Sequence, residues 1–140
     1  MRPSLRHIAV AALAAALTGV PPMADASDKT AKIKLDVYSG RENPEWALTA
    51  AETEELLRRF GMLPVVANGP VLFDGLGYRS ASAEFAGGGE IVASRGFVTY
   101  GAQKRLDPDR AFENWLVATG AGHAPEPLLA RIRKEISGEP

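Results

Sequence analysis

At 140 residues, with 16 basic and 17 acidic side chains and a formal net charge of −1, the chain has no basic excess to bring to a nucleic acid or an anionic membrane surface. Cysteine is absent, which removes disulfides, thiolate metal sites and thiol nucleophiles together. Stability must come from packing, and a single domain of this length can bury a core without covalent staples.

The first residues read as an export signal. Arg2, Arg6 and His7 form a cationic leader, and Ile8 to Val20 is an apolar run rich in alanine and leucine. Pro21-Pro22 breaks that run, and Ala24-Asp25-Ala26 supplies the small residues a signal peptidase reads. The run is shorter than the roughly 18–20 residues needed to cross a bilayer. Residues 1–26 are therefore predicted to be a cleaved secretory signal, with cleavage before Ser27. Residues 27–140 then form one exported domain, periplasmic or secreted, without a stable membrane anchor.

Within that domain, Lys32 to Tyr38 alternates strictly, with Ile33, Leu35 and Val37 on one face, the period of a half-buried strand. Ser39-Gly40 and Asn43-Pro44 are turn formers. Thr49 and Glu52 have capping-box spacing, which predicts a helix from Ala50 carrying Thr53, Leu56, Leu57 and Phe60 inward and stopping near Gly61. Met62 to Gly77 reads as a long loop holding a short strand at Val71 to Phe73. Tyr78 to Ala86 and Glu90 to Gly101 flank three glycines and read as a hairpin. A turn centred on Gly88 sets Phe85 opposite Ile91 and Ala83 opposite Ala93, and a bulge at Gly96 sends Val98 and Tyr100 inward. In this reading Arg79 lies in solvent and Arg95 has a partnered, half-buried site. Asp107-Pro108 opens a helix whose stripe is Phe112, Trp115, Leu116 and Thr119, and a last helix from about Glu126 turns Leu128, Leu129, Ile132 and Ile136 inward.

The order strand–helix–hairpin–helix–helix predicts an α+β domain: about three helices on a small, mostly antiparallel sheet of 3–4 strands. A mixed sheet is the alternative, since a strand–helix–strand opening can make one pair parallel.

Little in the chain argues for catalysis. After the signal, the one histidine is His123, in a Gly/Ala/Pro loop, so a zinc or copper site lacks ligands and neither metal nor cofactor is expected. The serines lack a nucleophile-elbow setting, and Gly87-Gly88-Gly89 is not followed by a phosphate-loop lysine. The densest cluster of recognition-type residues is Ser39 to Trp46. Arg41 offers a guanidinium fork, Glu42 a carboxylate, Asn43 an amide and Trp46 a flat face. Two readings compete. In the structural one, Asn43-Pro44 builds the turn and Trp46 is core. In the binding one, Arg41, Glu42, Asn43 and Trp46, with Tyr78, share an exposed concave face. Exposure decides between them.

Leu35-Asp36-Val37-Tyr38-Ser39-Gly40-Arg41-Glu42-Asn43-Pro44-Glu45-Trp46, with Leu76-Gly77-Tyr78-Arg79 and Arg110-Ala111-Phe112-Glu113-Asn114-Trp115-Leu116, resembles a group of small proteins of no established activity. That group opens on Asp-Val-Phe/Tyr-Ser-Gly-Arg-x-Asn-Pro-x-Trp. The resemblance implies a shared fold and site but no chemistry, and Glu42 adds a charge to the commoner pattern. The leading expectation is a non-catalytic exported domain binding a peptide, protein or small polar ligand through residues 39–46. The alternative is a small exported enzyme or enzyme inhibitor using carboxylates with Arg41 or Arg95 as charge stabiliser.

Overall fold

The computed structural model describes residues 30–67 and 77–138. The predicted signal, residues 1–26, and the predicted strand at Val71 to Phe73 lie outside the described residues.

Strand β1 (Ala31–Asp36) pairs with the short β2 (Glu45–Ala47), and helix α1 (Ala50–Gly61) and the two-residue β3 (Val65–Val66) follow. Strands β4 (Ser80–Phe85), β5 (Glu90–Ser94), β6 (Phe97–Tyr100) and β7 (Gln103–Leu106) form a meander. A 3₁₀ turn (Pro108–Arg110) then leads into α2 (Ala111–Ala118), and α3 (Glu126–Ser137) closes the chain.

The seven strands make one sheet in the order β2-β1-β4-β5-β6-β7-β3. Every pairing is antiparallel. The α+β layout stands, but the expected sheet of 3–4 strands, with a parallel pair as its alternative, is corrected on both counts. The sheet is larger because Glu90 to Gly101 is not one strand. Arg95 (φ +53°) and Gly96 (φ +89°) are both left-handed and form a two-residue turn that sets Ser94 opposite Phe97. Consecutive left-handed residues match the twist of a hairpin. Gly101 (φ +61°) begins a second tight turn, which sets Tyr100 opposite Gln103. Val98 and Tyr100 do turn toward the core side, through a reversal rather than a bulge.

The glycine hairpin is shifted by two residues from the expected register, with Ala83 opposite Ile91 and Ala81 opposite Ala93. A two-residue shift preserves which face each side chain takes, so Ala81, Ala83, Phe85, Ile91 and Ala93 remain on the buried face. Gly88 and Gly89 carry the positive φ angles of this turn, and a Cβ on Gly89 would come within 3.2 Å of the Tyr100 ring.

The three helices cover that same face. Leu56 and Phe60 of α1, Phe112, Leu116 and Val117 of α2, and Leu128, Leu129, Ile132 and Ile136 of α3 join Ile33, Leu35 and Ile91 in one core. Phe60 meets Tyr100 and Phe112 edge-on, with centroids 6.0 and 6.5 Å apart. The predicted capping box forms: Thr49 Oγ1 accepts from Glu52 N at 3.1 Å and Glu52 Oε1 from Thr49 N at 2.9 Å. The far end of α1 is closed by Arg105 of β7, which lies 4.6 Å over the Phe60 ring and donates to the carbonyls of Phe60, Gly61 and Leu63.

The two hairpin arginines exchange the places expected of them. Arg79 is largely buried at the head of β4 and forks onto Asp36, with Nε to Oδ2 at 3.0 Å and Nη2 to Oδ1 at 2.5 Å. Its Nη2 also donates to Tyr38 O at 2.9 Å. That fork, before a charged strand end, satisfies a guanidinium that burial would otherwise penalise. Arg95 is exposed because it sits in the turn.

Candidate binding site

The loop from Val37 to Pro44 joins β1 to β2 and is fixed by one side chain. Asn43 Oδ1 accepts from Val37 N at 3.0 Å and from Tyr38 N at 2.8 Å, so the amide closes the end of the strand as a backbone carbonyl would. Leu35 N donates to Pro44 O at 3.1 Å on the other flank. Gly40, at φ +82°, supplies the left-handed residue the reversal needs.

The strand alternation of β2 then separates the cluster. Register puts Lys34 opposite Glu45 and Ile33 opposite Trp46, so Glu45 takes the open face and Trp46 the core. Trp46 is only 5% exposed. Its indole N–H donates to Thr119 Oγ1 at 2.9 Å, and the ring stacks on His123 with centroids 6.4 Å apart. Gly120 lies against the ring so closely that a Cβ there would sit 2.8 Å from Trp46 Cη2. This residue does what the structural reading asks of it.

Arg41 and Glu42 are exposed. The Arg41 guanidinium stands 3.8 Å from the centroid of the Tyr38 ring, a cation–π contact that holds a long side chain in place at the surface. Beside it, Lys34, Arg41, Glu42, Asn43 and Glu45 line an open, polar pocket of about 480 Å³. Lys34 was not marked in the sequence and Glu45 only as a member of the 39–46 stretch, and the cross-strand pairing of β1 with β2 is what brings the two together. Their charges are partly shared with neighbours: Lys32 Nζ lies 3.6 Å from Glu45, and Lys34 Nζ lies 4.0 Å from Glu84. Asp36, beneath the loop, is held below the usual carboxylate range, first by its hydrogen bond from Arg79. Burial opposes this, while the charges of Arg79 and Lys34 and a hydrogen bond with Asn43 reinforce it.

Tyr78 belongs to a different constellation. Its hydroxyl donates to Glu113 Oε2 at 2.5 Å, toward α2. Glu113 is fully buried and also accepts from Arg110, Nε to Oε1 at 2.9 Å and Nη2 to Oε2 at 3.0 Å. Asp107, 2% exposed, accepts from Phe112 N at 2.8 Å and Glu113 N at 3.0 Å, and so caps the first turn of α2. Burial is the main influence on Asp107 and raises its pKa, against the bonds from the helix amides and the charge of Arg110. Asp109 and Arg110 both have left-handed backbones, at φ +57° and +54°. Two such residues in succession store strain of order 1–3 kcal/mol each, and the Asp107 cap and the Arg110–Glu113 pair hold them there. Both carboxylates have their oxygens occupied within the fold, which makes this a structural ion network.

Of the five residues marked in the sequence, the structure brings Arg41, Glu42 and Asn43 together, sends Trp46 into the core, and ties Tyr78 to α2. Among the described residues, no group of three or more His, Cys, Asp or Glu could hold a metal ion. Nor is any helix among them long and apolar enough to cross a membrane. No protein-family model, no curated protein and no solved structure matches this chain.

Proposed function

We infer that the chain is an exported, non-catalytic binding domain that takes a peptide, protein or small polar ligand at the outer side of the β1–β2 loop. The observation that carries this reading is the exposed Arg41, stacked on Tyr38 at the rim of a polar pocket whose loop is locked by Asn43. A guanidinium already held in place loses less side-chain freedom when it engages a ligand. Glu42 and Glu45 line that pocket together with Lys34 and Arg41. Such a lining suits a partner with both donors and acceptors, such as a peptide segment, better than a simple anion. Trp46 is scaffold, while Asn43 both locks the loop and lines the pocket.

Capture from the exported fraction tests this, with wild type, Arg41→Ala and Glu42→Ala as baits. Loss of a captured species with Arg41→Ala, at unchanged melting temperature, supports the reading. Equal capture by all three baits excludes the loop as the binding surface.

A further inference from the structure

A second concavity lies on the helix side of the molecule, away from the β1–β2 loop. It is a groove of about 470 Å³ between the C-terminal end of α1 and the start of α2. Its volume falls within the roughly 300–1,000 Å³ of small-molecule sites. Leu63, Pro64, Pro108 and Phe112 give it an apolar lining, and Phe112 is a core residue. Arg58 and Arg59 also line it, their side chains 58% and 37% exposed. One carboxylate, Glu55, serves both guanidiniums: Arg58 holds both its oxygens and Arg59 Nε shares Oε2 at 2.7 Å. Arg58 Nη1 also leans on Met62 Sδ at 3.1 Å, and Arg59 lies 4.9 Å over the Trp115 ring. Asp107 is part of the lining too, but its oxygens are directed onto the amides of Phe112 and Glu113 and it is almost wholly buried. The charge that the groove presents to solvent is therefore cationic, over an apolar floor.

We propose that this groove binds a small amphipathic anion, with its apolar body against Leu63, Pro64, Pro108 and Phe112 and its carboxylate or sulfonate on Arg58 and Arg59. Each guanidinium retains donors beyond those used on Glu55, and a bidentate anion matches that fork. The paired arginines give the site orientation, and the floor gives it affinity. This proposal is independent of the β1–β2 loop and survives if that loop binds nothing.

The probe is 1-anilinonaphthalene-8-sulfonate, titrated into the full chain and followed by fluorescence and by amide chemical shifts. Its neutral analogue, N-phenyl-1-naphthylamine, serves as the control. Saturable binding is expected, with shifts confined to residues 58–64 and 107–112. The sulfonate should bind about tenfold more tightly than the neutral analogue, the effect of one charge-assisted hydrogen bond. The double variant Arg58→Gln/Arg59→Gln should abolish that preference. Ala111→Trp, at an exposed helix position in the groove lining, should block both probes without lowering the melting temperature. It decides the matter if the arginine variant folds poorly. Absence of saturable binding, shifts centred elsewhere, equal affinity for the two probes, or undiminished binding by Ala111→Trp would each overturn the proposal.

Discussion

Trp46→Ala separates the two roles that the β1–β2 loop could have been given. The ring is 5% exposed, stacks on His123, touches Gly120 and donates its N–H to Thr119. Truncating a large core aromatic costs about 3–5 kcal/mol, and the cost rises where the surroundings cannot close on the cavity. Here Gly120 has no side chain to move in, and losing the 2.9 Å hydrogen bond to Thr119 removes a further contribution of about 1 kcal/mol. The expected loss lies in the upper part of that range. At about 4 °C per kcal/mol for a domain of this size, the melting temperature should fall by roughly 15–20 °C. Thermal melts by far-UV circular dichroism, with urea unfolding to fix the free energy, measure it directly. Trp46→Phe keeps an apolar ring and drops the N–H, and should lose about half as much. A Trp46→Ala protein that melts within about 2 °C of wild type would refute the buried placement and return this residue to the binding surface.

The same packing is probed from the other side by Gly120→Ala. Its Cβ would meet the Trp46 ring at 2.8 and 2.9 Å, so the variant should lose about 1–3 kcal/mol, and a neutral result in urea unfolding would show that the ring has room to shift. Tyr78 supplies a pH test. Burial first, and then the charge of Glu113 and the hydrogen bond to it, raise its phenol well above the usual value of 10.0. The folded chain keeps a proton that the unfolded chain releases, so stability should fall as pH rises beyond about 10. Tyr78→Phe removes that titration and should make the alkaline decline shallower; urea unfolding across that range checks it, and an unchanged slope would contradict the placement.

What the sequence showed clearly was whatever local chemistry alone determines. Thr49 and Glu52 cap α1, and Leu128, Leu129, Ile132 and Ile136 draw the stripe of α3, because each signal is complete within a few residues. Asp107-Pro108 opens a 3₁₀ turn and not α2 itself, which starts at Ala111 after two left-handed residues, with Asp107 reaching its amides from upstream. The sheet was harder to read. Strand β7, Gln103-Lys104-Arg105-Leu106, shows no apolar alternation, since its core-side residue is an arginine that stacks on Phe60 and caps a helix. Strand β3 is two residues long and exists by pairing with β7. The Arg95-Gly96 turn was hidden because arginine is not a residue that signals a left-handed turn, and a bulge explained the same change of face. The place expected of Arg95 failed with that turn, whereas Arg79 is drawn in by the pairing of β4 with β1, which brings it onto Asp36.

The Ser39–Trp46 motif carried two competing readings in the sequence, and the fold divides its residues between them. A three-residue strand is enough to divide it: Glu45 points out, Trp46 in and Ala47 out. Residue types that suggest recognition are also those that best close a loop, and here the two uses are split by alternation. Asn43 and Trp46 hold the loop to β1 and to the α2–α3 connection, through Tyr38 N and Thr119 Oγ1 respectively. Arg41, Glu42 and Glu45 are the charged residues of the motif that the fold leaves at the surface. Because Trp46 stacks on His123 and rests on Gly120, the connection between α2 and α3 supports β2 from behind. Changes at residues 119–123 should therefore disturb the loop without touching it, whereas changes at Arg41 should leave the core as it is. A loss of binding that accompanies a loss of stability is thus a property of the support, and only a loss without it identifies the contact surface.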